Sequence, residues 1–125
     1  MINTTWDKER GIIFRRCEGD VSFGDLVHCT KEGPKHPEFD AYPSTIWVFD
    51  KVNFSGDPER MSRQMPFVRD LTEQTGSGRK IAWVTSSPFA RALLKEFFHN
   101  NQWSSSWEVF DTTEAAVSWC TQTSR

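Results

Sequence analysis

Long apolar runs are missing from this sequence of 125 residues. No stretch approaches the roughly 18 consecutive apolar residues of a membrane-spanning helix, so no such span is expected. The opening residues, Met1-Ile2-Asn3-Thr4-Thr5-Trp6-Asp7, lack the basic and apolar regions of a secretory signal. The expected location is therefore the cytoplasm. A dominant charge is missing too, since 15 basic residues face 17 acidic ones. That balance argues against a nucleic-acid or anionic-membrane partner. The basic pairs Arg15-Arg16 and Arg79-Lys80 then read as solvated surface.

Cysteine is scarce and badly spaced for chemistry. Cys17, Cys29 and Cys120 form no Cys-x-x-Cys pair, and in a reducing compartment they are expected to be free, buried thiols with no disulfide. His28, His36 and His99 are as scattered, so no metal site is expected. No Gly-x-Ser-x-Gly elbow occurs. Gly76-Ser77-Gly78 precedes a predicted strand instead of joining a strand to a helix, which is the wrong place for a phosphate cradle. Asp50 followed by Thr85 has the look of a phospho-acceptor site. Yet the first strand carries no acidic pair for Mg²⁺, and the last ends in Asp111 without the required Lys. The expectation is a non-catalytic protein without a cofactor; an unrecognised enzyme is the lesser alternative.

Aromatic rings are plentiful: six Trp and ten Phe beside a single Tyr. Their arrangement follows a regular rhythm. Residues 2–7 alternate with a period of two, Asp7 to Gly11 make a turn, and Ile12 to Glu18 form the return strand of a hairpin. Gly19-Asp20 ends it. Ser22 caps a helix with Asp25 in its first turn, and Gly33-Pro34 stop it. Residues 34–44 read as a loop stiffened by Pro34, Pro37 and Pro43. Thr45-Ile46-Trp47-Val48-Phe49 runs without alternation into Asp50, as a strand buried on both faces does. Asp57-Pro58 begins a helix that either kinks at Pro66 or starts there. Lys80 to Thr85 is a strand, Ser87-Pro88 caps a helix, and Trp107 to Phe110 is the last strand. Asp111 with Glu114 opens the last helix, which turns Ala116, Trp119 and Cys120 inward.

The order β-β-α-β-α-β-α-β-α predicts one α/β domain over residues 1–125. Its core is a single mixed, mostly parallel sheet of about five strands with helices packed on it. Ligands of such sheets meet the carboxyl ends of the strands. Asp50, Ser55, Thr85 and Ser86 are accordingly the candidate rim for a ligand or a regulatory modification. Ser55, between a strand and a helix N-terminus, is the candidate phospho-acceptor. Phe39 and Tyr42 in the proline-rich loop, with Trp103 and Trp107 further on, are the candidate interface rings.

Several phrases resemble the SpoIIAA-like family of the STAS, or anti-sigma-factor antagonist, group. They are Asp20-Val21-Ser22-Phe23-Gly24-Asp25-Leu26, His36-Pro37-Glu38-Phe39-Asp40 leading to Trp47-Val48-Phe49-Asp50, Arg79-Lys80-Ile81-Ala82-Trp83-Val84, and Val109-Phe110-Asp111-Thr112-Thr113-Glu114-Ala115-Ala116. The resemblance implies a binding and signalling module with a protein partner or self-association. It also implies phosphorylation on a Ser after the central strand. Where that family carries an Asp-Ser-x-Gly-like phrase, this sequence reads Asn53-Phe54-Ser55-Gly56-Asp57. The family's fold is similar to the lipid-binding CRAL-TRIO domain. An apolar ligand between sheet and helix, beside Met61, Met65, Phe97 and Phe98, is therefore the alternative reading.

Overall fold

Asp7 and Gly11 make the first reversal of the chain. The Asp7 carboxylate accepts from the Arg10 backbone N–H at 3.1 Å and from Arg10 Nε at 2.8 Å. Gly11 has φ +68, in the left-handed region, and a Cβ there would meet Pro43 Cδ at 3.1 Å. The computed structural model describes residues 2–49, 52–55, 79–88 and 106–122, together with Asp70, Arg91, Ala92, Leu94 and Lys95. Strands β1 (Ile2–Asp7) and β2 (Ile12–Cys17) pair antiparallel across this turn. Strands β4 (Ser44–Val48), β6 (Lys80–Val84) and β7 (Ser106–Phe110) then add in parallel, giving a five-stranded sheet in the order β1-β2-β4-β6-β7. The expected mixed, mostly parallel sheet is the one present.

Two further strands were not expected. β3 (Gly19–Ser22) and β5 (Val52–Ser55) pair in parallel as a small second ladder. Its register identifies it. Ile12 pairs with Ser44 in the main sheet, whereas Gly19 pairs with Val52 here. One extra residue has entered on the β4–β5 side, so the second ladder prolongs β2–β4 beyond a bulge-like offset. Gly19, at φ +69, lets the chain turn at this break without a steric penalty.

Ser22 ends β3 and caps α1 (Phe23–Glu32). Its hydroxyl accepts from Asp25 N–H at 3.2 Å, and the Asp25 carboxylate accepts from Ser22 N–H at 2.9 Å. This reciprocal box pulls the exposed Asp25 carboxyl below its ordinary range. Ser22→Ala should lower stability by about 1 kcal/mol, read as a fall in the urea midpoint at constant slope. The stop at Gly33-Pro34 is where the sequence places it, and the loop beyond tightens into short 3₁₀ turns at Gly33–Lys35 and Phe39–Ala41. At the other end, α2 (Thr113–Thr121) is capped by Thr112 rather than Asp111. The Thr112 hydroxyl accepts from Ala115 N–H at 3.2 Å, while Asp111 turns to Arg91.

The sheet separates two apolar layers. On one face Cys17, Trp47, Phe49, Ile81, Trp83 and Val109 pack with Val21 and with Leu26 of α1. On the other, Ile12, Ile46, Val48, Ala82 and Val84 pack with Ala116 of α2, and Trp119 and Cys120 close in from the side. The unalternating run of β4 is thus buried on both sides, as its sequence requires. Lys80 fixes the end of α2, donating to Trp119 C=O at 2.9 Å where the helix dipole favours a cation. No helix among the described residues is long and apolar enough to cross a membrane.

Candidate functional site

The parallel pairs bring three strand ends to one edge. Phe49 N–H donates to Val84 C=O at 2.8 Å, and Thr85 N–H donates to Phe110 C=O at 3.0 Å. Thr85, Ser86 and Asp111 therefore share the carboxyl edge of the sheet. Their side chains are already engaged or solvated. Thr85 is only 2% exposed, and its hydroxyl accepts from Ser87 N–H at 3.2 Å, closing the turn into the next helix. Ser86 is exposed. Asp111, largely exposed, forms an ion pair with Arg91 that ties this helix to the end of β7. Asp50, the other predicted rim carboxylate, lies outside the described residues.

Ser55 is reached by a different route. It ends β5 directly opposite Ser22 in the parallel register, so the two backbones lie about 4.8 Å apart. Ser22 is also the cap of α1. The second ladder therefore sets the candidate phospho-acceptor beside the N-terminus of α1; the helix expected after Ser55 lies outside the described residues. No local pattern reveals this neighbour, because the pairing joins residues far apart in the chain.

The predicted interface rings divide. Tyr42 is 3% exposed and offers no ring to a partner. It meets Trp6 edge-on at 5.0 Å, and Trp6 in turn stacks on His36 at 4.1 Å. Phe39 is half-buried, with the Arg79 guanidinium 4.0 Å above its ring. Trp107 is half-buried at the margin of the α1-side core. Trp103, like Met61, Met65, Phe97 and Phe98, lies outside the described residues.

Arg15 departs from the expected solvated pair. It is 5% exposed, because Ile13, Arg15 and Cys17 share the inward face of β2. It donates to Thr4 Oγ1 and to Cys29 C=O, each at 3.0 Å, and lies 5.4 Å from the Trp47 ring centre. Burial draws its pKa down from the usual value. The alternation of β2 was the signal that could have found it. Burial also pushes the Cys17 thiol up to about 12. Cys17, Cys29 and Cys120 are all free thiols. Arg16, on the opposite face, borders an open groove of about 810 Å³ with Thr5, Phe14, Glu114 and Val117. Here α2 packs chiefly on β4, β6 and β7, and the groove runs between it and the hairpin.

Comparison with known proteins places this architecture. No protein-family profile and no curated protein matches the sequence. Two solved structures match the fold. The anti-sigma factor antagonist SpoIIAA in its unphosphorylated form is 16% identical, with 93% of each chain covered and a TM-score of 0.54. The Bacillus cell fate determinant SpoIIAA in the phosphorylated form is 15% identical, with 95% of this chain and 98% of that one covered and a TM-score of 0.57. The chain has the α/β fold of these SpoIIAA structures.

Proposed function

We propose that this protein is a non-catalytic, cytoplasmic regulatory module that binds a protein partner and is switched by phosphorylation of Ser55. The observation that carries the reading is the β3–β5 ladder, which sets Ser55 opposite Ser22, in a fold shared with a protein whose structure exists in phosphorylated and unphosphorylated forms. A phosphate adds roughly −1.5 to −2 units of charge at neutral pH. The capping box already holds the Asp25 carboxylate at the start of α1. Added charge beside it meets like charge and changes the surface a partner reads.

The test is capture of a partner from the native host by the tagged protein, with quantitative mass spectrometry. Wild type and Ser55→Ala are expected to hold one protein in stoichiometric amount. Ser55→Asp should weaken that complex at least tenfold, and Ser55 should be found phosphorylated in the host. Equal binding by the Ala and Asp variants, with no phosphate at Ser55, sinks the proposal.

A further inference from the structure

The two edges of the main sheet are finished differently. At β7, Ser106 N–H donates to Arg79 C=O and Phe110 C=O accepts from Thr85 N–H, so alternate residues face β6. Val109 N–H must then point outward, and it donates to the Glu108 carboxylate at 3.1 Å. A charged side chain occupies that edge, which is how natural sheets discourage a further strand. At β1 the described residues provide no such device. Residues 2–6, Ile-Asn-Thr-Thr-Trp, carry no charge and no proline, and among the described residues β1 has a neighbouring strand on one side only.

The direction of the β1 amides follows from the turn. Gly11 C=O accepts from Ser44 N–H on the β4 side. Across one planar peptide the N–H points opposite to the C=O, so Ile12 N–H faces β1. Alternation makes Phe14 and Arg16 do the same, and their partners Asp7, Thr5 and Asn3 face inward. The N–H and C=O groups of Ile2, Thr4 and Trp6 are left pointing away from the sheet. Among the described residues, no backbone hydrogen bond reaches them from outside.

We propose that this edge is a self-association surface: β1 of one copy pairs antiparallel with β1 of a second about Thr4, joining two sheets into one. The sequence of β1 is complementary to itself in this register. Thr4 meets Thr4, and Ile2 of each copy lies opposite Trp6 of the other. Asn3 lies opposite Thr5. An aromatic ring beside a β-branched side chain and a pair of threonines are favourable cross-strand neighbours, and no like charges are opposed. Ile2 and Trp6 are both half-buried in the single copy. They project to the α1 side, because their partners Cys17 and Ile13 lie on the Arg15 face of β2. Pairing covers both in each copy. Trp6 is already oriented by its stack on His36, and Thr4 is held by Arg15, so little side-chain freedom remains to be lost.

The test uses the full chain and two readouts. Sedimentation velocity from about 1 to 500 µM should show a reversible monomer–dimer equilibrium for wild type. Asn3→Glu with Thr5→Glu sets carboxylates opposite each other across the two-fold, and Asn3→Lys with Thr5→Lys does the same with ammonium groups. Each double variant alone should dimerise at least tenfold more weakly. An equimolar mixture of the two should recover a dimer. Hydrogen exchange on wild type avoids any question of variant folding. The amides of Ile2, Thr4 and Trp6 should become protected as concentration rises, and those of Asn3 and Thr5 should not change. A wild type that stays monomeric at 500 µM, double variants that dimerise like wild type, or a mixture that does not recover overturns the proposal. So does concentration-independent exchange at the three outward amides. None of these readouts involves Ser55 or a partner protein.

Discussion

Trp83→Ala is expected to lower stability by about 4 kcal/mol. Trp83 is 5% exposed and lies opposite Trp47 in the β4–β6 register. Its ring is 5.7 Å from Trp47 and 5.4 Å from Phe49, with interplanar angles of 11° and 14°. The three rings make a continuous stack across two central strands. Truncation leaves a cavity between rings that are fixed by their backbones and cannot collapse inward. It also removes two aromatic contacts, each worth about 0.5–1.5 kcal/mol beyond its area. A protein of this size has roughly 5–15 kcal/mol in all, so the loss is a large part of the total. Urea unfolding followed by circular dichroism measures it. Trp107→Ala, at the half-buried margin of the same core, should lose less than half as much. Equal losses would show that the stack contributes nothing special.

The second large effect is expected at Arg15, and it depends on what replaces it. Arg15→Ala should destabilise by about 3 kcal/mol, chiefly by emptying the space its stem fills beside Trp47. Arg15→Met should fall within about 1 kcal/mol of wild type. Neither hydrogen-bond partner is stranded when the guanidinium goes. Cys29 C=O still accepts from Gly33 N–H, and Thr4 is exposed to water. The charge itself is held at a cost, which its lowered pKa expresses. Gly33 marks how closely the space is fitted, since a Cβ there would come within 2.9 Å of Arg15 Nη2. If Met proves as damaging as Ala in the same urea titrations, the hydrogen bonds and not the packed volume hold this corner.

Legibility in the sequence varied with the range of the interaction. The Ser22–Asp25 box and the Gly33-Pro34 stop are local, and residue type alone reveals them. The apolar runs of β4 and β6 are legible because burial on both faces removes alternation. β3 and β5 were not legible. Gly19-Asp20 is turn chemistry by composition, and only pairing with residues 52–55 makes it a strand. Asp111 and Thr112 both carry an acceptor suited to a helix cap, and the choice between them rests on Arg91, which is distant in sequence. Of the candidate site, the shared edge of Thr85 and Ser86 followed from parallel pairing. The proximity of Ser55 to α1 did not, and neither did the burial of Tyr42 against Trp6.

The order of strands in the main sheet repeats the order of the chain, β1-β2-β4-β6-β7. A ribosome delivers the protein in that same direction. The hairpin is local, and each later strand can add on the newest edge, so none has to be inserted between two already joined. The growing sheet meanwhile ends on a bare apolar strand, β4 and afterwards β6, whose flank invites a neighbouring nascent chain. Only β7, with Glu108 capping its own backbone, closes that side. Of the sheet's strands the sealing one is thus made last, and a chain halted before residue 106 is released with its stickiest margin uncovered.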